Sequence, residues 1–210
     1  MMYNIFGDIM IFMKDIIREG NELLRNESSD IAIPVSDEDK RQLLELLGYV
    51  INSQDEEYVE KYHVRSGVGL AAPQIGISKK MIAIYFIDEN DKEVKYALVN
   101  PKIVSNSTRL IAIKGGEGCL SVNEDKTGYV YRYYKITVKA YDALAKKEVT
   151  INAKGYEAIV LQHEIDHLSG ILYYDRINKN NPFEIKPNSE LIKSIYIKYK
   201  YKQFWKSTLF

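Results

Sequence analysis

The chain has 210 residues, with 29 basic and 29 acidic side chains, and is 46% apolar and 28% charged. That length suits one domain, or two small ones, and is enough for a real hydrophobic core, and the apolar content excludes global disorder. Zero net charge argues against a protein whose main task is gripping nucleic acid, DNA included, the single cysteine rules out an intramolecular disulfide and points to the cytoplasm, and no apolar run reaches the roughly 18 residues that span a membrane.

The opening MMYNIFGDIMIFM has no basic n-region and is interrupted by Asp8, so it reads as an N-terminal packing segment rather than a signal peptide. Ser36 then opens a helix. Ser36 and Asp39 have capping-box spacing, and Asp37 and Glu38 suit the positive end of the helix dipole. Leu43, Leu44, Leu47, Val50 and Ile51 follow as one apolar stripe, ending near Asn52 and Ser53. Residues 54–66 are a polar loop or a short second helix. MIAIYFI (81–87) is a buried-strand run, and YALVN (96–100) reads as its partner, stopped by Pro101. Residues 103–113 and the stretch from Tyr129 to Tyr141 look like further strand, turned by DALAKK into VTIN (149–152). A helix from about Gly155 to Leu168 follows, with Gly170 in C-cap position. This order predicts an α+β fold, with mostly antiparallel sheets around a central C-terminal helix. The tail from Leu191 to Phe210 carries five lysines, no acid and several aromatics, and IYIKYKYK alternates like an edge strand.

The chemistry concentrates in three places. His163, Glu164 and His167 form H-E-x-x-H on the last helix, where four residues turn about 400° and stack the two imidazoles on one face. Two such nitrogens hold a metal at about 2.0–2.1 Å, and Glu164 stands beside them, placed to take a proton from a water on the ion. A catalytic metal wants a third protein ligand and an open position. His63 lies in a polar stretch and reads as a surface residue, so Cys119, in G-G-E-G-C-L-S (115–121), is the best donor. The third cluster is G-V-G-L-A-A-P-Q-I-G (67–76). It satisfies a loose G-x-G-x-x-A pattern, but no buried strand precedes it and Pro73 sits where the nucleotide-binding helix should run. It reads instead as a glycine-lined segment able to pair with an extended peptide, ending at Gln74, whose amide N–H can stabilise an oxyanion.

GVGLAAPQ (67–74), EGCLS (117–121) and QHEIDH (162–167), in this order, resemble the three signature motifs of the peptide deformylases. The resemblance runs from about Asp15 through Pro182, and the long segment before the first motif and the form of the second are similar to the type 2, Gram-positive branch. It implies a single deformylase domain over 1–210, with the basic, aromatic tail at about 191–210 unassigned. It implies hydrolysis of the formyl group from N-terminal formyl-methionine of nascent proteins, releasing formate. Carried over by position, Cys119, His163 and His167 are the metal ligands and Glu164 the general acid/base. Gln74 and the backbone N–H of Leu120 form the oxyanion hole. Val68, Gly69 and Gly118 bind the substrate backbone, and Glu117 and Arg132 support the metal loop. The family implies Fe²⁺ as the native ion, with Zn²⁺, Ni²⁺ or Co²⁺ able to take its place. Ser169 stands where Asn or Asp is more usual.

Helical spacing adds a pocket: Tyr156, Ile159, Val160 and His163 share a face, so the first three, with Val68, are expected to wall the methionine side chain. Two rival readings make different demands. A zinc peptidase would take Glu184 or Glu190 as third ligand. A non-catalytic metal-bound module, docking on the ribosome through its basic tail, would have no need of Glu164 or Gln74. A transient ribosome contact is also compatible with catalysis.

Overall fold

The structure, a computed structural model, describes residues 10–193. Helix α1 spans Asp37–Asn52 and α2 spans Glu56–Tyr62. Strands β1 (Gly69–Ala71), β2 (Met81–Ile87), β3 (Glu93–Asn106) and β4 (Leu110–Ile113) follow, then β5 (Arg132–Tyr133), β6 (Lys135–Asp142) and β7 (Lys147–Lys154). Helix α3 (Tyr156–His167) and β8 (Ser189–Ile192) close the described chain.

Two sheets form. The larger has the order β1-β2-β3-β6-β7 and is antiparallel throughout; the smaller has the order β5-β4-β8, with β8 parallel to β4. The unbroken apolar run of β2 is explained by burial on both faces. Met81 and Ala83 pack with Leu43, Leu46, Leu47 and Val50 of α1, whereas Ile82, Ile84 and Phe86 pack with Ala158, Val160 and Leu161 of α3. On its other side α3 places Ile159 against Ile111 and Ile113 of β4. The helix is therefore enclosed between the two sheets, as the α+β reading expected, and its apolar residues occupy more than one stripe because more than one side is covered.

The α1 start is as expected in part. Ser36 is the N-cap and its hydroxyl accepts from the Asp39 backbone N–H at 3.1 Å. The reciprocal arm differs: the Asp39 carboxylate accepts from the Ser36 hydroxyl at 2.7 Å and from Lys79 at 2.6 Å. The stripe is also shifted, with Leu46 fully buried and Leu44 and Ile51 only partly so. Pro101 does not stop β3. The strand runs through it because the register shifts between Val99 and Lys102, and Asn100 takes φ +51° at that irregularity. The β-rich stretch from Tyr129 to Tyr141 holds β5 and most of β6, which belong to different sheets. Leu168, not Gly170, is the C-cap of α3; Gly170 lies two residues on with φ +70°.

At the N-terminus, Ile11 is buried, and Phe12 and Met13 pack on the α1 cluster, as a packing segment should; residues 1–9 lie outside the described region. In the tail, Leu191 and Ile192 belong to β8, and the predicted edge strand IYIKYKYK (195–202), with all of 194–210, lies outside the described region too. No helix among the described residues is long and apolar enough to cross a membrane.

Candidate active site

Helix α3 places His163 and His167 one turn apart, with ring centroids 5.0 Å from each other. The second glycine-rich segment brings Cys119 to them. Gly116 makes this possible: its φ is +80°, and a Cβ there would lie 3.0 Å from the Gly128 carbonyl oxygen. Cys119 Sγ lies 3.3 Å from His167 Nε2. One ligand atom from each of Cys119, His163 and His167 falls within 4.8 Å of the others, the one such group found among the described residues. His63, by contrast, is exposed at the C-cap of α2.

A metal ion fits this donor set. His167 is 1% exposed, and burial together with the neighbouring His163 pushes it well below the ordinary imidazole range, which leaves it neutral with a nitrogen lone pair to give. His163 Nδ1 lies 2.7 Å from Glu117 Oε2, leaving Nε2 for a ligand. Burial works to lower His163, but Cys119 and Glu117 outweigh it, and a field that favours positive charge on this ring also favours a cation beside it. One soft thiolate with two imidazoles suits a divalent transition ion.

Glu117 is itself held by a buried ion network. Arg132 grips both of its oxygens, at 2.8 and 2.9 Å, and reaches Asp166 at 2.5 Å. Arg176 in turn clasps the Asp166 carboxylate with two bonds of 2.5 Å. Burial would raise Glu117, but the Arg132 charge and hydrogen bonds outweigh it and lower the carboxyl to about 2. The resemblance to the deformylase motifs covers Glu117 and Arg132 but not Asp166 or Arg176. Asp166 was findable, as a carboxylate one turn from His163 on a helix that is otherwise mostly apolar.

Glu164 is 4% exposed and its Oε2 finds no hydrogen-bond partner within the protein. Burial is the dominant influence and lifts its carboxyl to about 7, against the pull of His163 and Arg132. Gln74 sits in a short 3₁₀ turn after β1, not in a nucleotide-binding helix. Its Oε1 accepts from the Ala71 N–H at 2.9 Å, which aims Nε2 at Ser121 Oγ (3.2 Å) and Cys119 Sγ (3.5 Å).

Part of this set, without His167, lines one cleft of about 200 Å³. Gln74, Cys119, Leu120, His163 and Glu164 are among its lining residues. Val68, Gly69, Gly118, Tyr156, Ile159 and Val160 all line it as well, so every predicted substrate-contacting residue meets there. Ile113 of β4 also forms part of the wall. It was not expected, because nothing in the sequence says that the small sheet closes over α3. The rival third ligands are engaged elsewhere: Glu190 pairs with Arg109 at 2.6 Å, and Glu184 accepts from Asn178 at 2.7 Å.

Comparison with known proteins decides the family. The polypeptide deformylase family model matches residues 13–183. This chain belongs to the peptide deformylase family. It is 52% identical over 181 residues to peptide deformylase 2 of Bacillus cereus, covering 86% of this chain and 98% of that one. It is 54% identical over 176 residues to peptide deformylase 2 of Geobacillus stearothermophilus, covering 84% and 95%. Among solved structures, the class I type b peptide deformylase of Acinetobacter baumannii matches with a TM-score of 0.66 at 26% identity, over 81% of this chain and all of the other. The deformylase therefore removes the N-formyl group from nascent peptides, in a family that depends on a metal.

Proposed function

We propose that Cys119, His163 and His167 hold the metal, that Glu164 carries the proton, and that Gln74 and the Leu120 N–H bind the formyl oxygen. The observation that carries this reading is the convergence of three ligand atoms within 4.8 Å beside a buried, unpartnered carboxylate. A divalent ion held there supplies Lewis acidity, lowering the pKa of water from 15.7 towards about 7.

The chain's own residues do the rest. Edge strand β1 of the larger sheet offers Gly69, with Val68 beside it, for backbone pairing with the extended substrate, and Gly118 bonds it from the opposite wall. Tyr156, Ile159 and Val160, with Val68, wall the methionine side chain. Glu164 takes the proton of the attacking water as the oxygen–carbon bond forms. Charge gathers on the formyl oxygen, where Gln74 Nε2 and the Leu120 N–H donate to it. Glu164 then returns the proton to the methionyl nitrogen as the C–N bond breaks, and formate leaves. A carboxyl near neutrality suits both transfers.

We further place the reaction in the cytoplasm, where nascent chains carry the formyl group, within a single domain over 1–210. We take Fe²⁺ as the native ion, with Zn²⁺, Ni²⁺ or Co²⁺ able to replace it, and a transient ribosome contact through the tail at 191–210. The decisive experiment is formate release from formyl-Met peptides. Glu164→Ala should abolish it with metal still bound, and Cys119→Ser should lose the metal; unchanged release in Glu164→Ala ends the catalytic reading. Anaerobic purification with metal analysis tests the ion, since full activity with zinc alone, insensitive to peroxide, removes iron. Deleting 191–210 without effect on ribosome co-sedimentation removes the ribosome contact.

A further inference from the structure

Residues 17–19 lie outside all three signature motifs, yet they touch two of them. The Ile17 N–H donates to the Gln74 carbonyl at 2.7 Å. The Arg18 guanidinium donates through Nη1 to the Leu120 carbonyl. The Glu19 N–H donates to the Ser121 carbonyl at 2.7 Å, and its carboxylate accepts from the Asn123 N–H at 3.2 Å. Three consecutive residues thus hold the backbone of both loops. Just before them, Ile16 is buried in the same cluster as Leu120.

We propose that residues 17–19 are a positioning strap that fixes the distance between the two oxyanion donors. This rests on the reading of Gln74 and the Leu120 N–H as that pair. Two donors help a developing oxyanion only if both already point at one place, because reorganisation during the reaction would cancel the gain. The donors come from loops separated by 46 positions, the loop after β1 and the segment around Cys119. The strap takes the carbonyl of each donor residue, Gln74 O and Leu120 O, and ties both to one short stretch of chain. Arg18 does not line the cleft. It acts through Leu120 and is a positioning residue.

Arg18→Met keeps the apolar stem and removes the donor. The expected result is a fall in kcat on a formyl-Met-Ala-Ser peptide, up to about 10²-fold for a displacement of the order of 1 Å. KM, metal content and the affinity for the product Met-Ala-Ser, which has no formyl oxygen, should all stay at parental values. Amide hydrogen exchange should speed up over 119–122 and stay unchanged in α3. A parental kcat, or parental exchange over 119–122, overturns the strap. So does a loss shared equally by product affinity, melting temperature and kcat, which a merely structural role would give. Gln74→Leu separates the two claims. If it loses about 10²–10³ in rate while Arg18→Met does not, only the strap falls; if Gln74→Leu is itself fully active, the oxyanion assignment falls.

Discussion

Alanine at position 69 puts the claim about Glu164 to a sharp test. A Cβ built on Gly69 would lie 2.3 Å from Glu164 Oε1, 2.6 Å from Cδ and 2.8 Å from Cγ. Ordinary contact begins at 3.4 Å, so the oxygen has to withdraw by about 1.1 Å. Rotating the carboxylate does not suffice, because Cγ is overlapped as well and the whole side chain must change rotamer. Glu164 is 4% exposed, so it has little room to go. The backbone itself accepts alanine, since Gly69 is ordinary extended strand paired with Ile84. A catalytic group misplaced by about 1 Å loses on the order of 10² in rate. The expected enzyme therefore folds normally, keeps its metal content, and releases formate about 10²-fold more slowly. Steady-state formate release with metal analysis and a thermal melt checks all three. A Gly69→Ala enzyme with parental kcat would refute the placement of Glu164 as the proton carrier against β1.

Other outcomes follow from the same geometry. Arg132→Met strands the Glu117 carboxylate, 4% exposed at its side chain, and should cost about 3–5 kcal/mol in urea unfolding; a loss too small to measure contradicts the buried network. Burial works to raise Asp39, but hydrogen bonds from Lys79 and Ser36 outweigh it, so its folded pKa lies below the unfolded value of about 3.9. Its stabilising contribution is present above that value and is lost as pH falls through the folded pKa. Asp39→Asn should thus be less stable than the parent at neutral pH, with the deficit closing in acid; an equal deficit at both refutes the ion pair. Ile159→Ala should cut the preference for formyl-Met over formyl-Ala peptides by about 10- to 200-fold, measured as a ratio of kcat/KM, and an unchanged ratio moves the methionine pocket elsewhere.

The sequence by itself determined the chemistry and much of the local structure. H-E-x-x-H is a helical motif whose spacing stacks two imidazoles whatever surrounds it, and Ser36 and the β2 run mark their elements through local capping and through apolar pattern. Tertiary structure decided the rest, for reasons that local pattern does not carry. Proline cannot donate to a ladder, so Pro101 looks like a stop in the sequence, but a register shift removes the need for that donor. Leu46 rather than Leu44 faces the core because the larger sheet sets which side of α1 is covered. Asp166 is marked by its helical spacing from His163, whereas Arg18, Arg176 and Ile113 are invisible in the sequence because their roles arise from partners that only folding supplies. Only folding brings a carbonyl at 120, a carboxylate at 166 and a helix face at 159 within their reach.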